Sequence, residues 1–284
     1  MLNKIRKVAI FEFFGILFHT FGPSDSGSLH AWGACGGSSI LPGPIMIEAS
    51  FPDRIVVTDQ EIDISELSGE EKSFVLNFLK AVPALYRTQG MERIIVGIAG
   101  PSGAGKSLLA ALAAKMSSGG ISVTHISIDA FHYPNTYLGG HVDQEGGSLK
   151  EVKGRYDTYD VPFLKGKLEQ FLKGDVVAFP EYSRKLHDPV SDAINISGPG
   201  VLLLEGLWLL FESRGWEDLR RYFTKVYFLD NKPEKLRQHT IERHVRGGKT
   251  QEEAEDFFDK SDTKNYDLVM KTQSRADTQL TWPT

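Results

Sequence analysis

Cysteine is nearly absent: the 284-residue chain carries one, Cys35. A single thiol excludes an internal disulfide framework and any zinc site built on cysteine, and it suits a reducing compartment. An excess of basic charge is also missing. Lys and Arg number 32 against 37 Asp and Glu, a formal net charge of −5, which argues against nucleic acid as the main partner. No apolar run is long enough to span a bilayer, and no internal repeat is visible, so neither a membrane protein nor a solenoid is expected. What is present is ordinary for a globular chain: 41% hydrophobic and 24% charged residues. That composition and length suit one large α/β domain with a substantial core, plus extensions.

The first 45 residues stand apart. Lys4, Arg6 and Lys7 precede the apolar run from Val8 to Phe18, which superficially looks like a signal peptide, but Glu12 interrupts it. Residues 22–44 are dominated by Gly, Ser and Pro and read as a flexible linker. Residues 1–45 are therefore expected to be a poorly packed extension, with Met46 an alternative start. Residues 46–90 are expected to supply a strand and a helix that pack on a core domain spanning 91–284.

From residue 46 the pattern is regular. Arg54–Thr58 reads as an edge strand. Ser68-Gly-Glu-Glu71 has the form of a capping box opening an amphipathic helix to about Arg87, bent or broken near Pro83. Strands are expected at 93–99, 122–129, 201–205 and 225–229, and a short fifth near 277–280. The runs at 201–205 and 225–229 are apolar, as suits strands covered on both faces, whereas 122–129 ends in polar residues. Helical segments separate them, which predicts a mainly parallel five-stranded sheet in a three-layer α/β/α sandwich.

Four sites carry chemistry. Gly100-Pro-Ser102-Gly103-Ala104-Gly105-Lys106-Ser107 fits the phosphate-binding pattern G-x-x-x-x-G-K-[ST], between a buried strand and the helix-forming run Leu108–Lys115. Such a loop aims backbone N–H groups at a polyphosphate. Lys106 would reach its β- and γ-phosphates, and the Ser107 hydroxyl would ligate Mg²⁺. Asp129 closes the second predicted strand, where ligands gather in open α/β sheets. It is either a general base for an attacking hydroxyl or a turn former or outer magnesium partner. Glu205, ending an apolar strand, suits a carboxylate on the magnesium side; a helix cap is its other reading. The predicted helix Pro233–Arg246 places Arg243 and Arg246 on one face and ends at Gly247-Gly248. It is either a lid that neutralises a transferring phosphoryl group or a solvated basic face.

In this order the sites resemble the phosphoribulokinase, uridine kinase and pantothenate kinase superfamily of P-loop kinases, over roughly residues 90–281. The resemblance rests on the phosphate loop, on Ser127-Ile-Asp129-Ala-Phe131-His-Tyr133-Pro134-Asn135 and on Lys153-Gly-Arg155-Tyr-Asp-Thr-Tyr159-Asp160. It rests also on Phe179-Pro-Glu-Tyr182-Ser-Arg184-Lys-Leu-His187-Asp188, on Leu204-Glu205-Gly206 and on Thr272-Gln-Ser-Arg275-Ala276-Asp277. The layout is most similar to the branch labelled nucleoside-kinase-like or fructose-kinase-like. The resemblance implies a P-loop fold with a helical lid and an acceptor-binding hairpin, with arms at Asp175–Phe179 and Ala193–Ser197.

By that resemblance Asp129 is the general base, Glu205 the magnesium-side acid, and Arg243 and Arg246 are lid residues. Tyr133, Arg155, Tyr182, Arg184, His187 and Asn265 become candidates for acceptor contacts. Asp160 reads equally as an N-cap or a ligand contact. The expected reaction moves the γ-phosphoryl group of MgATP to a hydroxyl of a sugar, nucleoside or pantothenate-like alcohol, in the cytoplasm, with a homodimer admissible. Two other readings stay open. One is a non-catalytic ATP-binding protein that keeps the fold. The other is a GTPase, hinted at by Asn231-Lys-Pro-Glu234, although Glu234 stands where the guanine motif needs Asp.

Overall fold

A computed structural model describes residues 51–117 and 120–283; the expected extension over 1–45 and the alternative start at Met46 lie outside the described residues. In chain order come β1 (Arg54–Val57), β2 (Gln60–Asp63), α1 (Gly69–Gln89), β3 (Arg93–Ala99), α2 (Lys106–Met116), β4 (Val123–Ser127), α3 (Asn135–Gly140) and α4 (Val161–Lys173). Next are β5 (Val177–Ser183), β6 (Asp188–Ile196), β7 (Gly200–Gly206), β8 (Lys225–Asp230), α5 (Pro233–Arg246), α6 (Gln251–Phe257), α7 (Thr263–Met270) and β9 (Thr278–Thr281).

The central sheet has five strands in the order β4-β7-β3-β8-β9, every neighbouring pair parallel. Period-two alternation divides the buried strand residues between its two faces. Ile95, Leu202, Leu204 and Phe228 point into one core with Leu164, Leu168 and Phe171 of α4. Ile94, Val96, Ile98, Leu203 and Leu229 point into the other, with α2 and with Val75, Phe78, Leu79 and Val82 of α1. Each such side chain contributes roughly 1.5–3 kcal/mol by leaving water. The result is the three-layer α/β/α P-loop kinase fold.

Local chemistry explains the element ends. The Ser68–Glu71 capping box opens α1 and Gly90, at φ 63°, closes it. A second box, Thr250 with Glu253, opens α6. Of the two expectations at Pro83, a bend or a break, the break does not occur: the helix runs on to Gln89 with Pro83 buried inside it. Arg54–Val57 is not an edge strand of the main sheet. It pairs antiparallel with β2 as a separate hairpin, Arg54 opposite Asp63 and Val57 opposite Gln60. β5 and β6 form the expected hairpin with longer arms, a register shift between Phe179 and Glu181, and a tip at residues 184–187.

Candidate active site

Three neighbouring strands deliver the chemistry to one end of the sheet. β3 runs into Gly100–Ser107, β7 ends on Glu205-Gly206, and the chain after β4 carries Asp129. The parallel register sets Glu205 between Ile98 of β3 and Ser127 of β4. Asp129 does not sit on the strand tip that the sequence suggested. β4 stops at Ser127, and Asp129 lies in the first turn of a 3-10 helix over Ile128–Phe131. The Ser127 hydroxyl turns the chain by accepting the Asp129 N–H at 3.3 Å. Gly206 lets that turn pass over β7, since a Cβ there would collide with the Ile128 side chain.

The phosphate loop is braced from behind by α5. His239 Nδ1 donates to the Gly103 carbonyl at 3.0 Å, and Thr240 Oγ1 donates to Ser102 Oγ at 3.2 Å. Gly103 takes φ +78°, and a Cβ would meet the Leu236 carbonyl and lie 2.7 Å from Thr240 Oγ1, so only glycine fits. Lys106 is 6% exposed, and its Nζ donates to the Pro101 carbonyl at 2.7 Å. Burial, with the Arg243 charge, pulls its ammonium down to about 8 against the opposing pull of Glu205.

Ser107 Oγ donates to Glu205 Oε1 at 2.9 Å. Burial alone would raise the Glu205 carboxyl, but neighbouring His125, the Lys106 charge and Ser127 outweigh it and hold the group at about 2. His125 Nε2 lies 3.8 Å from Glu205, beyond hydrogen-bond reach, and is a buried polar atom without a partner. A hydroxyl, a carboxylate and an unpartnered ring nitrogen suit a hydrated Mg²⁺. No cluster of three His, Cys, Asp or Glu able to hold a metal occurs among the described residues. The ion would therefore draw most of its ligands from phosphate oxygens and water, as Mg²⁺ usually does.

Asp129 opens onto a cavity of about 570 Å³. Of the predicted site residues, Tyr182, Arg184, His187, Arg243 and Asn265 line it together with Asp129. Asp129 Oδ1 accepts the Tyr159 hydroxyl at 3.3 Å, and Arg184 Nη2 stands 4.0 Å from Oδ2. Burial and the Arg243 charge lower the Arg184 guanidinium from its usual value. Tyr159 and His132 carry no role in the sequence reading, yet they build the wall beside Asp129, their rings stacked at 3.8 Å. Lys153 is a third such residue: it donates to Asn135 Oδ1 at 2.8 Å and to the His187 carbonyl at 2.6 Å, tying the loop after Asp129 to the hairpin.

Three predicted residues are not brought to the cavity. Arg155 is spent on Asp157 at 2.7 Å and Asp143 at 3.0 Å, so it fastens a loop instead of facing the acceptor side. Tyr133 stacks on Tyr137 at 4.4 Å and donates its N–H to the Thr158 carbonyl. Arg246 is half exposed and lies 3.9 Å from Glu242; it shares a helix with Arg243 but points to solvent. Asp160 is an N-cap, accepting from the Phe163 N–H at 3.0 Å. In the segment that hinted at guanine recognition, the Asn231 side chain accepts the Lys232 N–H at 2.8 Å and so serves the turn into α5.

His132 makes the site acid-sensitive. Burial lowers it to about 4 from an ordinary 6.5, against the pull of Asp129 and its bond to Thr158. The ring is therefore neutral, with Nδ1 donating to the Thr158 carbonyl at 3.1 Å. Between pH 6.5 and 4 the unfolded chain binds a proton that the folded chain refuses, so stability falls as pH drops through that window. The full loss is on the order of 3 kcal/mol. Melting temperatures from pH 7 to 4 should fall more steeply for the wild type than for His132→Asn; parallel curves would refute the assignment.

The model of the Phosphoribulokinase / Uridine kinase family matches residues 95–280. A protein of Escherichia coli (strain K12), "Uncharacterized protein YggC", is 30% identical over 201 residues, covering 70% of this chain and 81% of that one. The uridine kinase of Aeromonas salmonicida (strain A449) is 34% identical over 146 residues, covering 48% of this chain and 61% of its own length. Among solved structures, that of a "putative fructose transport system kinase" from Silicibacter sp. TM1040 superposes with a TM-score of 0.64 at 23% identity, covering 74% of this chain and 98% of that one. The chain belongs to the phosphoribulokinase/uridine kinase family, and its general chemistry is ATP-dependent phosphoryl transfer to a small molecule.

Proposed function

We propose that the chain is a kinase of small alcohols, transferring the γ-phosphoryl group of MgATP to a hydroxyl of a sugar, nucleoside or pantothenate-like acceptor held in the cavity at Asp129. The observation that carries this reading is the placement of Asp129. Its side chain accepts one long hydrogen bond, from Tyr159, and faces a cavity on the strand end next to Glu205 and the phosphate loop. A carboxylate with lone pairs to spare at that point suits a general base.

In the proposed step Asp129 takes the proton of the acceptor hydroxyl. The acceptor oxygen bonds to the γ-phosphorus as the bond from that phosphorus to the β-bridging oxygen breaks, and ADP leaves. Lys106, Arg243 and Arg184 offset the negative charge spread over the transferring group. Ser107 and Glu205 would hold Mg²⁺, which supplies Lewis-acid stabilisation of the phosphate oxygens. Tyr182, His187 and Asn265 would orient the acceptor.

Coupled ADP release with fructose, other free sugars, nucleosides, D-glycerate and pantothenate tests the reading. One class should give ADP release dependent on both acceptor and Mg²⁺, with fructose the first trial. Slow hydrolysis that none of these alcohols accelerates would instead support a non-catalytic ATP-binding protein.

A further inference from the structure

The β1–β2 turn belongs to the chain before the family-matched residues 95–280, yet it is bonded to the acceptor hairpin. Asp59 of that turn accepts three hydrogen bonds from the hairpin tip: Ser183 Oγ at 2.8 Å, the Arg184 N–H at 3.0 Å and the Lys185 N–H at 3.0 Å. Ser183 Oγ in turn accepts the Leu186 N–H at 3.1 Å, so one distant carboxylate organises the whole tip. These donors hold the Asp59 carboxyl below its usual value against the opposing effect of burial. The clamp stands on a rigid base, because Ile55, Val57 and Ile64 are buried in the core. The turn is also constrained. Thr58 takes φ 56°, a left-handed conformation unusual for a β-branched residue. The residue after the clamp, Gln60, lines the cavity that Asp129, Arg184 and His187 line.

We infer that the β1–β2 turn is a working part of the acceptor site. Asp59 is a positioning residue that fixes the hairpin tip so that Arg184 faces Asp129, and Gln60 presents its carboxamide to the acceptor. A carboxamide both donates and accepts, which matches a hydroxyl- or amide-bearing acceptor better than a purely anionic one. This rests on the kinase reading for what the cavity holds, but not for what holds the tip.

Asp59→Ala, Asp59→Asn and Gln60→Ala separate the two. In Asp59→Ala the Arg184 and Lys185 amides should exchange with solvent about tenfold faster or more, with β3 and β7 amides unchanged, because their charged acceptor is gone. For whichever of fructose, uridine, D-glycerate and pantothenate the wild type phosphorylates, the acceptor KM should rise about tenfold, with the ATP KM within about twofold and Asp59→Asn intermediate. Gln60→Ala should raise the acceptor KM without altering exchange at the tip. Unchanged exchange in Asp59→Ala overturns the clamp, and faster exchange with an unchanged acceptor KM overturns its role in the site. If the wild type phosphorylates none of the four, the kinase reading fails, and the exchange rates still decide whether Asp59 holds the tip.

Discussion

Asp129→Asn should lower kcat by a factor of about 10²–10⁴, the range that a positioned general base contributes, and change MgATP affinity only within about threefold. The substitution keeps the size of the side chain and an oxygen able to accept the Tyr159 hydroxyl, which lies 3.3 Å away. What it removes is the capacity to take a proton. The nucleotide side does not depend on Asp129 for shape, because the phosphate loop is braced by His239 and Thr240 of α5. Calorimetric titration with MgATP and coupled ADP release on the same preparations separate binding from turnover. Full activity in Asp129→Asn would refute the base assignment, and a collapse of MgATP binding would make Asp129 a structural or metal-side group. Turnover lost with binding kept places the loss in the chemical step, as expected of the group that takes the hydroxyl proton.

Where the fold was legible from sequence, short-range chemistry decided it. The glycine pattern between an apolar run and strong helix formers located β3, the phosphate loop and α2, and a capping box located the start of α1. Side chains within three residues settle such features. The misplaced parts depend at least in part on residues beyond that reach. Asp129 leaves the strand because Ser127 caps a turn that Gly206 of a distant strand makes room for. Arg155 resembles a ligand contact in sequence, but Asp143 and Asp157 neutralise it, and no local pattern separates a spent guanidinium from a free one. Helical spacing put Arg243 and Arg246 on one face, yet a face spans a wide arc, and only Arg243 falls on its cavity side. Asp59 was invisible for the same reason, since its partners lie 124 to 126 positions along the chain.

Lys106→Met should cost about 10²–10³ in kcat, as loss of a preorganised charge at a transition state does. Its pH signature is sharper than the loss itself. Burial sets the Lys106 ammonium at about 8 in the free protein, and kcat/KM for ATP reports groups of the free enzyme. That parameter should fall above about pH 8 by roughly tenfold per pH unit in the wild type, and this limb should be missing from the residual activity of Lys106→Met. Stability moves the other way. Between pH 8 and 10.5 the unfolded chain holds a proton that the folded Lys106 has released, so this group makes the fold more stable as pH rises through the window. The melting temperature of the wild type should therefore gain on that of Lys106→Met from pH 8 to 10 while its ATP-dependent activity declines. A wild type that loses both together is denaturing, and the Lys106 assignment would fall. Activity falling against rising stability identifies a buried charge kept for the phosphate it meets, at a cost to the free protein.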